Sequence, residues 1–439
     1  MNTPAQTDTD CTSSQAQALE RLTVRRYLLG MFSQGIWWAG YLLFPFIMAK
    51  SLGASDWMVT IAVTLETSGM LLALYWGQLM ARGGRRRWLL RGGLGGRVVL
   101  VLVFFVQTPL QFLLLLGVVY FFASLVYPAQ NGILQSNICP ERRGRIFGWG
   151  ALIQHLTAAG TSLIVGYLLD RDPNLFRWIY PVLGLTGFVY LWVLARLPRP
   201  DGDTTVDSGG VFVVPKLPLG KVQWRRLLGA TITPFREAVD TFREDRNYLW
   251  FETNFMIYGL AFMMLIPVLP LFFIQELDLS YKEISSSRVL ISSLGVALLG
   301  PAMGRIMDRF HPVRLCTLSF AVIALYPITL AVGSVIHLDN PALIAYAAFG
   351  FFSLGMAGVN VTWNVGSISF APPGQGGYYQ GIHVAMVGVR GLLGPSLGFL
   401  VLKLMGYWEV FALSALVFLL SATSSALLGR QLGKSGPSS

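Results

Sequence analysis

Apolar residues in this chain gather into long runs separated by short polar breaks. The runs occupy residues 27–49, 57–80, 89–107, 110–133, 146–169 and 179–196, and, after a polar interval, 249–274, 284–307, 313–336, 343–366, 377–402 and 408–429. A helix that crosses a bilayer takes about 20 predominantly apolar residues, so the pattern predicts six spans, a break and six more. The bundles are expected at 27–196 and 248–430. Residues 1–26 and 431–439 read as tails, and 197–247, rich in Pro, Gly, Asp and Arg, as a linker. Within the linker, residues 224–248 fit either an amphipathic helix on the membrane surface or a solvated tether. The first run follows a polar, acidic-leaning start and then Arg21, Arg25 and Arg26. That does not resemble a cleavable signal peptide, and the run is expected to remain as a helix.

Composition agrees. Of 439 residues, 54% are hydrophobic and 13% charged, against roughly 25% charged in soluble domains, and the mean hydropathy is +0.57. Too few charged groups remain to cover a water-soluble globule, which excludes a soluble enzyme. Cys11, Cys139 and Cys316 are scattered without CxxC or metal-ligand spacing and read as free thiols.

Charge placement tests the helix count, because Lys and Arg accumulate in short cytoplasmic loops. With both termini cytoplasmic, the inner segments hold Arg82, Arg85, Arg86, Arg87 and Arg91, then Arg142, Arg143 and Arg145, then Arg305, Arg309 and Arg314. The opposite loops hold Lys50, Arg171, Arg177, Lys282 and Lys403, and Arg288 and Arg390 fall within spans. The remaining basic residues are assigned to the inside or its boundary. The net charge of +11 then reflects topology and contact with anionic lipid rather than nucleic-acid binding.

The two halves repeat one another. Pro45, Leu52 and Ser55 match Pro270, Leu277 and Ser280 at an offset of 225; Gly77, Leu79 and Arg82 match Gly304, Ile306 and Arg309 at 227; Asn131, Pro140, Gly144 and Gly148 match Asn364, Pro373, Gly377 and Gly381 at 233; and Gly166-Tyr-Leu-Leu matches Gly398-Phe-Leu-Val at 232. A slowly drifting offset of this kind implies two like-oriented six-helix units.

The loop after the second span, Gly77-Gln-Leu-Met-Ala-Arg-Gly-Gly-Arg-Arg, resembles the major facilitator superfamily signature G-x-L-a-D-R-x-G-R-R, and Gly304-Arg-Ile-Met-Asp-Arg resembles its second-half copy. The resemblance implies an all-α, multi-pass membrane fold of twelve helices in two six-helix bundles related by a pseudo-twofold axis, rocking about a central site to give alternating access. It also implies a cytoplasmic latch in which the motif's carboxylate faces a helix terminus of the opposite half. Here that acid is Ala81 in the first half and Asp308 in the second, so a one-sided latch is expected from Gly77, Arg82, Arg145, Gly304, Asp308 and Arg309. Pairing of Asp308 with Arg309 or Arg314 at a wet surface is the alternative.

Ionisable residues at membrane depth need a partner or a watery cavity. Arg390 and His383 lie seven residues apart in the eleventh span, Glu66 in the second and His155 beside Gln154 in the fifth. Because the second and eleventh helices adjoin in the resembled fold, Glu66 and Arg390 are expected partners, either structural or functional. Glu66, His155, His383 and Arg390 are the candidates for proton coupling or gating. The same fold lines its cavity with the first, fourth, seventh and tenth helices. That makes Gln34, Trp37, Tyr41, Gln130, Asn254, Tyr258, Asn360, Trp363 and Arg390 the substrate-binding candidates, with Trp38 expected to pack against helices or lipid and Asn131 and Asn364 to brace their helices. Gly388-Val-Arg-Gly-Leu-Leu-Gly-Pro-Ser-Leu-Gly resembles the glycine-proline element of superfamily antiporters, displaced into the eleventh helix, where proline permits bending.

No phosphate-binding loop, H-E-x-x-H or Cys/His cluster is present. No cofactor or metal is called for, and an ion gradient, expected to be of protons, must drive any uphill movement. The expected function is secondary transport of a small organic solute across a plasma membrane by a single chain, with export of an amphipathic or aromatic compound ahead of movement of an anionic metabolite with Arg390 as counter-ion. A non-transporting sensor or partner subunit is the reading of another class, kept open by Ala81.

Overall fold

A computed structural model of the protein describes residues 13–72, 76, 85–198, 236, 238–309, 311–372 and 376–434. Among these, the chain is helical with no strand. Helices α1 (Ser14–Tyr41), α2 (Asp56–Ser68), α3 (Arg86–Phe105), α4 (Pro109–Asn137), α5 (Pro140–Arg171) and α6 (Phe176–Ala195) form the first half. Helices α7 (Arg246–Leu271), α8 (Tyr281–Met307), α9 (Pro312–Gly333), α10 (Ala342–Val365), α11 (Gly376–Leu404) and α12 (Tyr407–Lys434) form the second. Ten of them, α3 to α12, are long and apolar enough to cross a membrane. In α1 the apolar stretch is diluted by Gln34 and the adjacent Trp37 and Trp38, and α2 runs toward residues outside those described. Large side chains such as Leu29, Leu114, Ile164 and Leu404 are exposed on the outside, an arrangement that lipid, not water, stabilises.

The start of α1 meets the end of α6, where Arg26 donates to the Arg196 carbonyl, and the end of α12 meets the start of α7, where Gln431 faces Asn247. The two ends of the chain therefore share one end of the bundle, here the terminal end. Opposite it lies the far end.

At the far end the duplication is visible atom by atom. The connection from α1 to α2 passes through a π-helical turn, Ile47–Ser51, and that from α7 to α8 through Phe272–Glu276, displaced by the offset of 225 read from the sequence. Leu52 N–H donates to the Ile47 carbonyl at 3.1 Å and Ala54 N–H to Met48 at 2.8 Å. Leu277 donates to Phe272 and Leu279 to Phe273 at the same distances. Each turn then passes through positive φ, at Gly53 (+60°) and Asp278 (+46°), and restarts at Ser55 or Ser280. Ser280 forms a reciprocal capping box with Glu283, satisfying helix-start donors that otherwise lack partners.

The core is continuous between the halves at the far end, where Phe44, Phe46, Phe112 and Phe176 join Phe272, Phe273 and Tyr281. At the terminal end the first half keeps a cluster of its own, around Tyr27, Leu89, Leu134 and Tyr190.

Two expectations are corrected. Cys139 is disulfide-bonded rather than a free thiol, because sequence spacing does not report which segments meet in space; Cys316 is a buried free thiol, and Cys11 lies outside the described residues. Arg97, assigned by charge counting to the inner boundary, is buried inside the first half.

Gly53 carries positive φ with open space around it, so only backbone strain opposes a side chain there. Gly53→Ala is expected to cost about 1 kcal/mol and lower the melting temperature in detergent. Asp278→Gly, which relieves the equivalent position, is expected to hold or raise it.

Candidate binding site between the two halves

The cross-half contacts sort by depth. At the far end, the Asp170 carboxylate at the end of α5 accepts from the backbone N–H groups of Tyr281 (2.6 Å) and Lys282 (2.8 Å) at the start of α8. Exposed donors at a helix start attract an anion. Asp56, in the first turn of α2, accepts from Lys403 Nζ of α11 at 2.5 Å and from Gln275 at 2.9 Å. Ser51 and Tyr281 hydroxyls lie 2.6 Å apart, and Lys50 donates to the Leu279 carbonyl. Burial alone would raise the Asp56 carboxyl, but the hydrogen bonds from Lys403 and Gln275 outweigh it and hold this group, at the mouth outside the membrane core, below the usual carboxylate range.

Midway, Thr67 Oγ1 donates to the Gly391 carbonyl at 2.7 Å, and His155 Nδ1 lies 3.3 Å from Ser293 Oγ. Gly166 of α5 is packed directly against Tyr281 and Ser285 of α8. Toward the terminal end a Cβ at Gly148, Gly300 or Gly304 would meet nothing within 4 Å, and Trp149 and Leu298 are 56% and 76% exposed. Among the described residues no hydrogen bond or ion pair crosses between the halves there. Among the described residues, the hydrogen bonds and ion pairs between the halves lie at the far end and midway.

Under the far end, where the Phe46 and Phe273 rings from opposite halves approach to 6.2 Å, two opposite charges face each other. Glu66 of α2 is half-buried and hydrogen-bonds Tyr41 of α1, and the Arg288 guanidinium of α8 lies within its electrostatic reach. Arg288 is also half-buried, between the Phe46 and Phe349 rings at 5.9 and 5.8 Å, and its Nε–H has no partner. Tyr120 of α4 lies near Glu66, its hydroxyl buried and without a partner. Arg288 sits in a π-helical stretch of α8, Ser285–Ile291. Single π-turns inside helices are frequent at functional sites, and the first half has regular helix at the equivalent place.

The expected pair of Glu66 with Arg390 does not form. Gly388 and Gly391 occupy the face of α11 that meets Leu71 and Thr67, which turns Arg390 away from α2 and toward α7. There its Nη1 donates to the Phe255 carbonyl at 2.5 Å, in space that Gly259 leaves free. His383, on the same face, donates from Nδ1 to Glu252 of α7 at 2.8 and 3.0 Å, the two side chains being 1% and 2% exposed. Glu252 is inconspicuous in the sequence because it sits one turn into a long apolar run.

Several substrate candidates face inward within their own half. Gln34 accepts from Arg97 Nη1 at 3.0 Å, and the Arg97 guanidinium lies 4.3 Å from the Trp37 ring, so both belong to the packing of α1 against α3 and α6. Trp38, not Trp37, stacks on Tyr41, at 5.2 Å, and packs near Val289 of the opposite half. Tyr258 is stacked on Phe320 at 4.7 Å and donates to Met356 Sδ. Asn254 is buried with an unpartnered amide. Gln130, Asn360 and Trp363 are half-buried, Trp363 lying edge-on to His383 at 5.7 Å. Of the latch residues, Gly77 and Arg82 and the side chain of Asp308 lie outside the described residues, while Arg145 and Arg309 are exposed.

The comparisons agree with this architecture. In overall fold the chain is similar to the peptide transporter POT in complex with alafosfalin (TM-score 0.70, 14% identity, 95% of this chain and 99% of that one) and to the human organic anion transporter (0.62, 16%, 92% and 99%). In sequence it is 26% identical to a multidrug resistance protein of Escherichia fergusonii over 58% of this chain and 57% of that relative, less than two thirds of its length. It is 25% identical to one of Proteus mirabilis over 66% and 70%. The model of the Major Facilitator Superfamily matches residues 27–395 and again 256–435, and this multi-pass membrane chain belongs to that family.

Proposed function

We propose that the protein is a secondary transporter that exports an amphipathic or aromatic organic compound in exchange for protons. The observation that carries this reading is the two-ended geometry: a far end tied between the halves by Asp56, Asp170 and Lys403, a terminal end where no described hydrogen bond or ion pair joins them, and under the far end a carboxylate bonded to an aromatic hydroxyl. Such an arrangement lets one site face each side in turn. The relatives' printed description as multidrug resistance proteins supports export. Glu66 is the proton carrier in this proposal, because it is the half-exposed carboxylate between the halves, whereas His383 is sealed against Glu252 and His155 is held at the α5–α8 contact.

The bundles 27–196 and 248–430 are the rocking bodies and 197–247 tethers them. The terminal end, bearing Arg86, Arg142 and Arg309, faces the cytoplasm of a bacterial plasma membrane, and one chain is the working unit. When that end closes, Asp308 and Arg309 approach Arg145, completing the latch on one side. Arg390, bonded to the Phe255 carbonyl within the second half, is not a counter-ion in this proposal, which favours the amphipathic compound over an anionic cargo.

In vesicles with an imposed proton gradient, Glu66→Gln is expected to reduce driven efflux of an amphipathic dye at least about tenfold, equivalent to 1.4 kcal/mol, and to abolish its dependence on pH. His155→Ala and His383→Ala are expected to keep that dependence, and its loss in either would reassign the carrier. Cysteines placed at positions 86 and 142 are expected to react with an impermeant reagent only from the cytoplasmic face.

Asp56→Asn removes an ion pair worth up to about 1 kcal/mol at an exposed site. It is expected to raise far-end opening by up to about fivefold, read as labelling of a cysteine at position 51. Because the Asp56 carboxyl is held low, its contribution is present at neutral pH and is lost only as pH falls below the usual carboxylate range. The effect of Asp56→Asn on labelling should therefore be the same across pH about 5 to 8.

A further inference from the structure

Glu66 and Arg288 attract one another across the two halves, yet among the described residues they form no ion pair, and each is only partly buried. In a membrane interior, opposite charges from two bodies would close on one another unless something else satisfied them. Two buried donors are also unused, the Tyr120 hydroxyl beside Glu66 and Arg288 Nε–H. Tyr41 bonds Glu66, and the Phe46 and Phe349 rings flank Arg288. An anion from one half, a cation from the other, two spare donors and an aromatic wall together describe the negative of a ligand.

Resting on the transport reading above, we propose that the cargo is a zwitterion with an aromatic body. Its ammonium is held by Glu66 and Tyr41 with the Tyr120 hydroxyl beside them, its carboxylate by Arg288, and its flat apolar part lies against the Phe46 and Phe349 rings. A purely cationic compound would leave Arg288 uncompensated, and a purely anionic one would leave Glu66 so. A buried unpaired charge is costly enough to make this a selection rule. Because the ammonium and the proton compete for one carboxylate, arrival of the proton from the far side expels the ammonium end, which ties cargo release to proton entry.

The test uses the purified full-length protein and aromatic amino acids and aromatic dipeptides, each beside its decarboxylated and its deaminated counterpart. Binding is read by thermal stabilisation. Members of the zwitterionic set are expected to stabilise the wild type at concentrations at least tenfold below either counterpart. Glu66→Gln should shift the preference to the deaminated acids and Arg288→Gln to the decarboxylated amines. Should Arg288→Gln fail to fold, the Glu66→Gln shift alone decides. Amines binding the wild type as well as the zwitterions do, or an unchanged preference in Glu66→Gln, would overturn the proposal. Proton-driven efflux of a cationic dye that no zwitterion competes with would also sink it, while leaving the transport reading intact. Absence of any driven flux would remove both.

Discussion

Charge is expensive inside hydrocarbon, and the places where this chain nevertheless carries it explain much of its construction. Several charged groups at membrane depth are met by specific devices. Arg97 lies over Trp37 and bonds Gln34; Glu252 is sealed against His383; Arg390 reaches a backbone carbonyl of α7. Once these are accounted for, Glu66 and Arg288 stand apart, since they face each other across the plane along which the halves must slide. Charges buried within one half brace that half. Opposed charges between halves respond to whatever enters.

Gene duplication supplies the scaffold on which this asymmetry is written. Tyr27 packs directly on Gly150 in the first half, and their equivalents at offsets of 225 and 233 are Glu252 and His383. The contact between α1 and α5 is therefore an aromatic ring on a glycine, and the same contact between α7 and α11 is an acid on an imidazole. Gly35 against Thr157 and Gly259 against Arg390 repeat the theme within one residue of exact register. The backbone approach is shared; the second half has filled it with hydrogen-bonding chemistry. Such pairs fix register at a cost in desolvation, consistent with one half being stiffened differently from the other.

Helix positions and the internal repeat were legible in the sequence, because both are written in features that survive without three-dimensional information: run length, proline and glycine placement, and the side preference of arginine. The far-end turns are the clearest case, their offset readable from Leu52 and Leu277 and recovered in matched hydrogen bonds. The site was less legible. A span's rotation about its axis decides whether a side chain meets its own bundle or the opposite one, and an error of about 100° per residue separates Trp37 from Trp38 and Gly391 from Arg390. Arg97 and Glu252 were hidden by apolar neighbours, and the π-helical stretch around Arg288 has no marker in its own sequence. Glu66 is conspicuous because a carboxylate inside a span needs no rotational information to stand out.

The far-end closure is itself unequal. Residues 171 and 403 are equivalent at an offset of 232, so the ends of α5 and α11 meet the opposite halves at corresponding places. From α5, Asp170 caps the start of α8 through backbone donors; from α11, Lys403 pairs with the side chain of Asp56. The first contact uses groups fixed by the helix itself and loses little side-chain freedom. The second holds a long, half-exposed lysine against a carboxylate and gives up rotamer entropy to do so. Opening at this end should begin along α2 and α11, where the bond is weaker, with α5 and α8 serving as the hinge side until the Asp170 cap breaks. The π-helical stretch carrying Arg288 follows that cap in the same helix, so the helix proposed to hold the cargo is the one whose start the last contact holds.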